Sequence, residues 1–413
     1  MFVRRRPRGA AAAVASAGIA IATGLALAVS SATLVQAAPA AAAAPTVNYP
    51  SWGDVQNAKA SQAAKQAEVT KIQGILTQLS TQADALGKVA EQKAELYNQA
   101  RNALDAATKK KNLLQDQVDT AQAKAAKSSK RASAVIAQLA QTGGGNISLG
   151  VLFGSAKNTD QLLSTLGTAD RLSQSSEQIL KQAQFDKNTA SSLTADAKAA
   201  EKKRQSLSDD AQTANDAAKA ASDAATAQLA QQQAAANTMY AQLASLKNTT
   251  ASVEEQYQLG VEEEARQNAV KNPPSAPIIN PNPGQPVASA VYGAISYAEA
   301  QLGKPYALGG AGPTYWDCSG LTLMSYRAVG IAIGTHSATN QYNTMRAQGK
   351  LVNLSQLAPG DLLFYTDGGG DMYHVAMAIG GNQMIEAPRP GVPVRIVAIR
   401  YGDLMPYAGR PSE

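Results

Sequence analysis

Between positions 54 and 142 the apolar residues fall at Ile72, Leu76, Leu79, Ala83, Leu86, Ala90, Tyr97, Ala100 and Leu104. The steps alternate between four and three, with Lys93 as an interruption. That spacing is the seam of a coiled coil. The segment contains no proline, and its remaining positions are rich in Ala, Gln, Lys and Asp. Gly143, Gly144 and Gly145 then break the helix. An apolar knot follows at Ile147, Leu149, Val151, Leu152 and Phe153. From about Asn158 to Arg266 a second proline-free stretch resumes, with Leu162, Leu163, Leu166, Leu172, Ile179 and Leu180 on one face. Two arms around a glycine break predict an antiparallel helical hairpin over 54–266, with an apolar tip near 143–165. At about 1.5 Å per residue each arm reaches over ~100 Å. A solvated spacer has no use for exposed Leu, Val and Phe, so the tip is expected to bind a partner.

The pattern changes again at 267–288, which hold six prolines and read as a semi-rigid linker. Residues 289–413 have a globular composition, with glycines, β-branched residues and most of the aromatics, and are long enough for a single core. Helices are predicted up to Gly303, from Asp317 to Gly330, and over 337–349. Strands are predicted at 360–366, 373–380, 383–388 and 393–399. Helices first and antiparallel strands afterwards make an α+β domain.

Charge and the amino terminus narrow the possibilities. Arg4, Arg5, Arg6 and Arg8 precede an Ala-rich apolar run to about Val29, and small residues follow at Val35-Gln36-Ala37. This predicts a secretory signal peptide over 1–37, and so an exported protein of the cell envelope. The formal net charge is +6, but four of those charges lie in the leader. No basic stripe remains that would argue for nucleic acid.

An exported chain with a single cysteine cannot form an internal disulfide. That cysteine is Cys318, in "TYWDCSGL", one residue after Asp317. Asp is a good N-cap, and a helix amino terminus is expected to stabilise a thiolate and lower its pKa. Gly320 allows a close approach by backbone or substrate. A thiol nucleophile needs a base, and the chain has two histidines, His336 and His374. Glu386 is a charge inside the apolar strand "QMIEAP". If Gly380-Gly381-Asn382 form a three-residue hairpin loop, Glu386 lies opposite Ala376 and diagonal to His374 on the same face. A two-residue loop reverses the faces. No comparable carboxylate is in sight for His336. No Cys/His cluster with metal-ligand spacing occurs, so neither metal nor cofactor is expected.

The segments "YALGG…DCSGL", "PGDLLFY" and "HVAMAIGGNQMIEAP" resemble the NlpC/P60 family of bacterial cell-wall cysteine peptidases. The resemblance covers residues 290–413. It implies a papain-like α+β catalytic domain, here preceded by a long all-α antiparallel coiled-coil hairpin. The family's nucleophile falls on Cys318 and its base on His374. Its third residue, often His, falls on Glu386, a departure that resembles the mycobacterial Rip-type (resuscitation-promoting-factor-interacting) endopeptidases. Tyr306 falls near the oxyanion site, and Asp317 and Ser319 on positions that help bind the substrate stem. Trp316 is either a pocket wall or core, and His336 and Ser337 are expected to line the cleft. The implied activity is cleavage of peptidoglycan stem peptides between D-glutamate and meso-diaminopimelate. A silent wall-binding adaptor and an amidase or acyltransferase on another envelope substrate are the alternatives. The hairpin more loosely resembles coiled-coil domains of division hydrolases that dock on an FtsX-type membrane protein.

Overall fold

The computed structural model describes residues 49–141, 159–270, 286, 288–368 and 370–412. The leader at 1–37, the glycine break with its apolar knot, and nearly all of the proline-rich stretch lie outside them.

Helix α1 (Trp52–Ala58) opens on a capping box, in which Ser51 Oγ accepts from the Asp54 amide and Asp54 accepts from the Ser51 amide. The chain turns at Lys59–Ser61, where Ser61 Oγ accepts from the Ala64 amide. Helix α2 then runs over Gln62–Gln141 and α3 over Thr159–Lys247. Their pairing is antiparallel: Lys59 bonds Ser245, Gln82 bonds Gln232, and Lys124 pairs with Asp186. The apolar weight lies at the base, where Ile72, Leu76 and Leu79 pack with Met239, Leu243 and Leu246. Each such buried side chain contributes about 1.5–3 kcal/mol. Farther along, the buried apolar positions are mostly alanines.

The second arm is shorter than its composition predicts. Asn248 adopts φ +59° and ends α3, and the chain reverses into α4 (Ala251–Val270). Asn tolerates the left-handed region. Glu254, accepting from Lys247 Nζ at 2.8 Å and Thr249 Oγ1 at 2.6 Å, fixes the reversal.

The C-terminal unit has the expected α+β order. Helices α5 (Ala288–Glu299), α6 (Cys318–Ala328) and α7 (Ala338–Ala347) precede the sheet. Its strands are β1 (Leu351–Asn353), β2 (Leu362–Thr366), β3 (Met372–Gly380), β4 (Gln383–Glu386), β5 (Arg395–Ala398) and β6 (Tyr407–Gly409). Their spatial order is β1-β6-β2-β3-β4-β5, antiparallel throughout. Ala294, Leu321, Tyr326 and Met345 from the helices pack with Phe364, Val375 and Met377 of the sheet. The opposite sheet face buries Leu363, Tyr365, Ala376 and Met384 with Ile399 and Leu404.

The β3–β4 hairpin sets the site. Its tip is a two-residue turn, Gly381-Asn382, with φ +58° and +59°, and Gly380 pairs with Gln383. A bulge between Ala378 and Gly380 inserts one residue, so Ala378 faces Met384 and Met377 faces Ile385. The expected three-residue loop is absent, yet the bulge restores the register that loop was to supply. Among the described residues no helix is long and apolar enough to cross a membrane.

Candidate active site

Cys318 is the first residue of α6. Asp317 caps the helix by accepting from the Gly320 amide at 2.7 Å. A Cβ on Gly320 would sit 2.1 Å from the Gly310 carbonyl oxygen. The position must therefore be glycine for the 310 loop to lie against α6. That loop also accepts the Asp317 amide on Gly310 O at 2.8 Å. Trp316 is fully buried and meets the Tyr297 ring edge-on, so it is core rather than pocket wall.

Helix α6 packs on β3, and the Val375 amide is directed at the Cys318 sulfur. The adjacent residue is His374, fully buried, whose Nε2 lies 2.9 Å from Glu386 Oε2. Glu386 Oε1 accepts from Arg395 Nε at 3.1 Å and Arg400 Nη1 at 2.8 Å. Burial works against the Glu386 charge, but Arg400 and His374 outweigh it and hold the carboxyl well below its ordinary range. An ionised carboxylate only accepts, so His374 carries its proton on Nε2. Nδ1 is left as the basic nitrogen, buried and without a hydrogen-bond partner.

The other histidine has a carboxylate that the sequence reading missed: His336 Nε2 lies 2.7 Å from Asp317 Oδ1. Burial disfavours the charged ring, but Asp317 raises its pKa above the ordinary value. The loop before α7 folds across the start of α6, a contact between loops that strand register could not reveal. Ser319 Oγ donates to the same Asp317 oxygen at 3.3 Å. Tyr306 is half-buried. Desolvation, together with Asp317 and Cys318, pushes its phenol pKa well up, so the hydroxyl stays a neutral donor. Cys318, His374 and Glu386 are thus brought together, and Tyr306, Asp317 and Ser319 border the thiol.

The expected lowering of the Cys318 pKa does not occur here. Burial pushes the thiol well up, and Asp317, Glu91 and Glu95 add to the rise, while the Val375 amide opposes it. Two of those carboxylates come from the hairpin. Glu91, Glu95 and Asn98, at successive turns of α2, are all buried against the site. Asn98 Nδ2 donates to Asp317 Oδ2 at 3.3 Å and to Ser319 Oγ at 3.4 Å. Glu95 accepts from Ser337 Oγ at 2.5 Å and from the amides of Ala338 at 2.9 Å and Thr339 at 3.1 Å. Around them, Asp84 pairs with Arg389, Lys88 with Asp403, and Gln92 bonds Asp367. Gly87 allows this approach, since a Cβ there would lie 2.2 Å from Arg389 Cδ. In this conformation α2 covers the thiol. Among the described residues no cluster of His, Cys, Asp or Glu could hold a metal ion.

Residues 303–403 match the model of the NlpC/P60 family, so the chain carries an NlpC/P60 domain. It is 39% identical over 122 residues to a probable endopeptidase p60 of Listeria grayi, covering 29% of this chain and 23% of that protein. Over 127 residues it is 36% identical to the peptidoglycan endopeptidase RipA of Mycobacterium tuberculosis, covering 28% and 25%. The chain spans about a quarter of the length of these curated relatives. A solved structure of a variant of the resuscitation promoting factor interacting protein RipA is 34% identical, with a TM-score of 0.28, covering 30% of this chain and 64% of that one.

Proposed function

We propose that the protein is an exported cysteine endopeptidase that cleaves peptidoglycan stem peptides, held inactive by its own hairpin in the conformation described. One observation carries the reading. His374 is fixed by Glu386 through Nε2, its Nδ1 has no partner, and it precedes the residue whose amide meets the Cys318 thiol. The similarity to proteins named as endopeptidases supports the substrate class.

In the proposed reaction α2 first leaves the cleft. His374 Nδ1 takes the thiol proton, and Cys318 Sγ attacks the scissile carbonyl. The Tyr306 hydroxyl donates to the developing oxyanion. The imidazolium, stabilised by Glu386, passes its proton to the leaving amine. Water, activated by the same nitrogen, hydrolyses the thioester and frees the acid and the thiol. Asp317 and Ser319, which bind Asn98 while α2 is docked, are then free for the stem. The bond is the one between D-glutamate and meso-diaminopimelate, the setting is daughter-cell separation, and the tip near 143–165 docks on an FtsX-type membrane protein. The test is incubation of the chain with defined muropeptides and mass spectrometry of the products. The expected result is a new free amine on diaminopimelate, absent with Cys318→Ala. Intact stems, or a product cut at an amide outside the stem, would overturn it.

A further inference from the structure

Glu386 is held by two arginines that act differently. Arg395 lies directly opposite it in the β4–β5 ladder and meets its Oε1 at 3.1 Å from Nε and 3.0 Å from Nη2. Arg400 comes from the segment beyond β5, and its Nη1 donates to the same oxygen at 2.8 Å. The Arg400 guanidinium also lies over the Tyr365 ring, 5.1 Å from its centroid. The Tyr365 ring in turn packs against the imidazole of His374, with centroids 5.4 Å apart and a tilt of 55°.

The backbone fixes this arrangement. Tyr365 is buried and pairs with His374 across β2 and β3. Its hydroxyl donates to Met384 Sδ at 3.1 Å, and the Arg400 amide is directed at the same hydroxyl. The chain past Arg400 is laid on β2, where Asp403 O accepts the Thr366 amide at 2.9 Å and the Met405 amide donates to Phe364 O at 2.8 Å. Arg400 is thus anchored beside the ring that its own side chain covers.

An imidazole with one hydrogen bond can still turn about that bond, and a carboxylate can rotate to offer either oxygen. His374 has a single such bond, through Nε2, because Nδ1 is unpartnered. Arg400 restrains both groups. By occupying Oε1 it leaves Oε2 to the imidazole, and by setting Tyr365 it fixes the ring that packs against the imidazole. A guanidinium suits both contacts, since its planar fork pairs with carboxylates and stacks on aromatic faces.

We infer that Arg400 is a positioning residue of the proposed reaction: acting through Glu386 and Tyr365, it holds His374 in the tautomer and orientation that leave Nδ1 free to take the thiol proton. The inference rests on the peptidase reading above and adds to it a residue outside the Cys318, His374 and Glu386 set.

The test uses the full chain. Arg400→Met keeps a long side chain and removes the fork. It is expected to lower kcat on defined muropeptides about tenfold with little change in KM, because orientation is lost and binding is not. Arg395→Met should cost less, about threefold, since Arg395 restrains the carboxylate and not the ring. The chain has two histidines, so isotope-labelled histidine gives a spectrum of two rings, assigned with His374→Ala. At about pH 8, where an ordinary imidazole is neutral, the parent is expected to show His374 as the Nε2–H tautomer, and Arg400→Met a mixture of the two tautomers. Arg400→Lys keeps the charge without the fork or the stack, and should hold the tautomer while recovering only about a third of kcat. A parent-like tautomer in Arg400→Met would overturn the inference. So would equal losses of kcat in Arg400→Met and Arg395→Met. Should Arg400→Met fail to fold, Arg400→Lys decides, and a kcat equal to the parent's overturns the inference. Each of these results leaves the peptidase reading standing. No turnover by the parent would sink that reading instead.

Discussion

Glu91 Oε1 sits 3.8 Å from His374 Nδ1, the imidazole nitrogen that has no hydrogen-bond partner. The hairpin thus sets a carboxyl group against the nitrogen proposed to act as the base. Burial pushes the Glu91 pKa up to about 7, against attraction from His374, Arg400 and Arg389, while Glu386 adds to the rise. Once α2 leaves, Glu91 is solvated and returns toward its ordinary 4.5. The docked state therefore binds the proton more tightly. Its stability is full below about pH 4.5 and is lost as pH rises to about 7. At about 1.4 kcal/mol per pKa unit the span is on the order of 3 kcal/mol. Hydrogen exchange of the α2 amides over 84–102, corrected for intrinsic rates, should quicken between pH 5 and 7. Glu91→Gln should flatten that dependence. A dependence identical in the variant would assign the pH effect to another group.

Cys318→Ala should abolish hydrolysis and shift the melting temperature by only a few degrees. The thiol is small, buried and unbridged, so its loss removes the nucleophile and leaves the core nearly intact. Full activity in the variant, read on muropeptides, would end the cysteine-peptidase reading.

Much of the C-terminal unit was legible because it depends on local signals. Asp317 before an apolar-periodic run predicted the α6 cap, and Gly303 and Gly330, with φ +77° each, end their helices or turns where expected. The His374–Glu386 contact was legible as a parity argument, though the bulge at Ala378–Gly380 reached it by another route. Strands β1 and β6, three residues each, are too short to show a period. The contacts of Glu91, Glu95 and Asn98 were illegible. On a helix with one apolar seam, charged residues off that seam read as solvent-facing, and nothing local says that a second surface is buried by residues over 200 positions away. The same holds for Arg400, whose partner Glu386 lies across a loop.

Glu386→Gln should lower turnover less than His374→Ala, because Glu386 orients the base but transfers no proton. It should also destabilise the fold. Gln cannot neutralise Arg395 and Arg400, and breaking a buried ion pair on one side costs about 3–5 kcal/mol. The Glu386 carboxyl lies below its ordinary range, so its contribution is present above about pH 4.5 and lost as pH falls through the depressed value. Thermal melts from pH 7 down to pH 3 should show a steeper loss in the parent than in Glu386→Gln. Parallel curves would mean that Glu386 is not the carboxylate that titrates with unfolding.

The rim of the docked hairpin offers a test of inhibition that leaves the active site untouched. Asp84 of α2 and Arg389 of the catalytic unit are 2.5 Å apart. Neither touches Cys318, His374 or Glu386. An exposed pair of this kind contributes about 0.2–1 kcal/mol, and reversing one partner adds repulsion of similar size. Asp84→Arg should therefore loosen the hairpin and raise hydrolysis of peptidoglycan by the full chain a few-fold. Arg389→Glu alone should do the same. The double variant restores an opposite-charge pair and should return the rate toward that of the parent. High salt should shrink all three differences, since the pair is at the surface. The upper limit is set by residues 288–413 alone, which should digest peptidoglycan faster than the chain that retains the hairpin. Additive single effects without rescue in the double variant would show that the pair does not hold the hairpin closed. Equal rates for the catalytic segment and the full chain would remove inhibition from the account and leave the hairpin a device for placement.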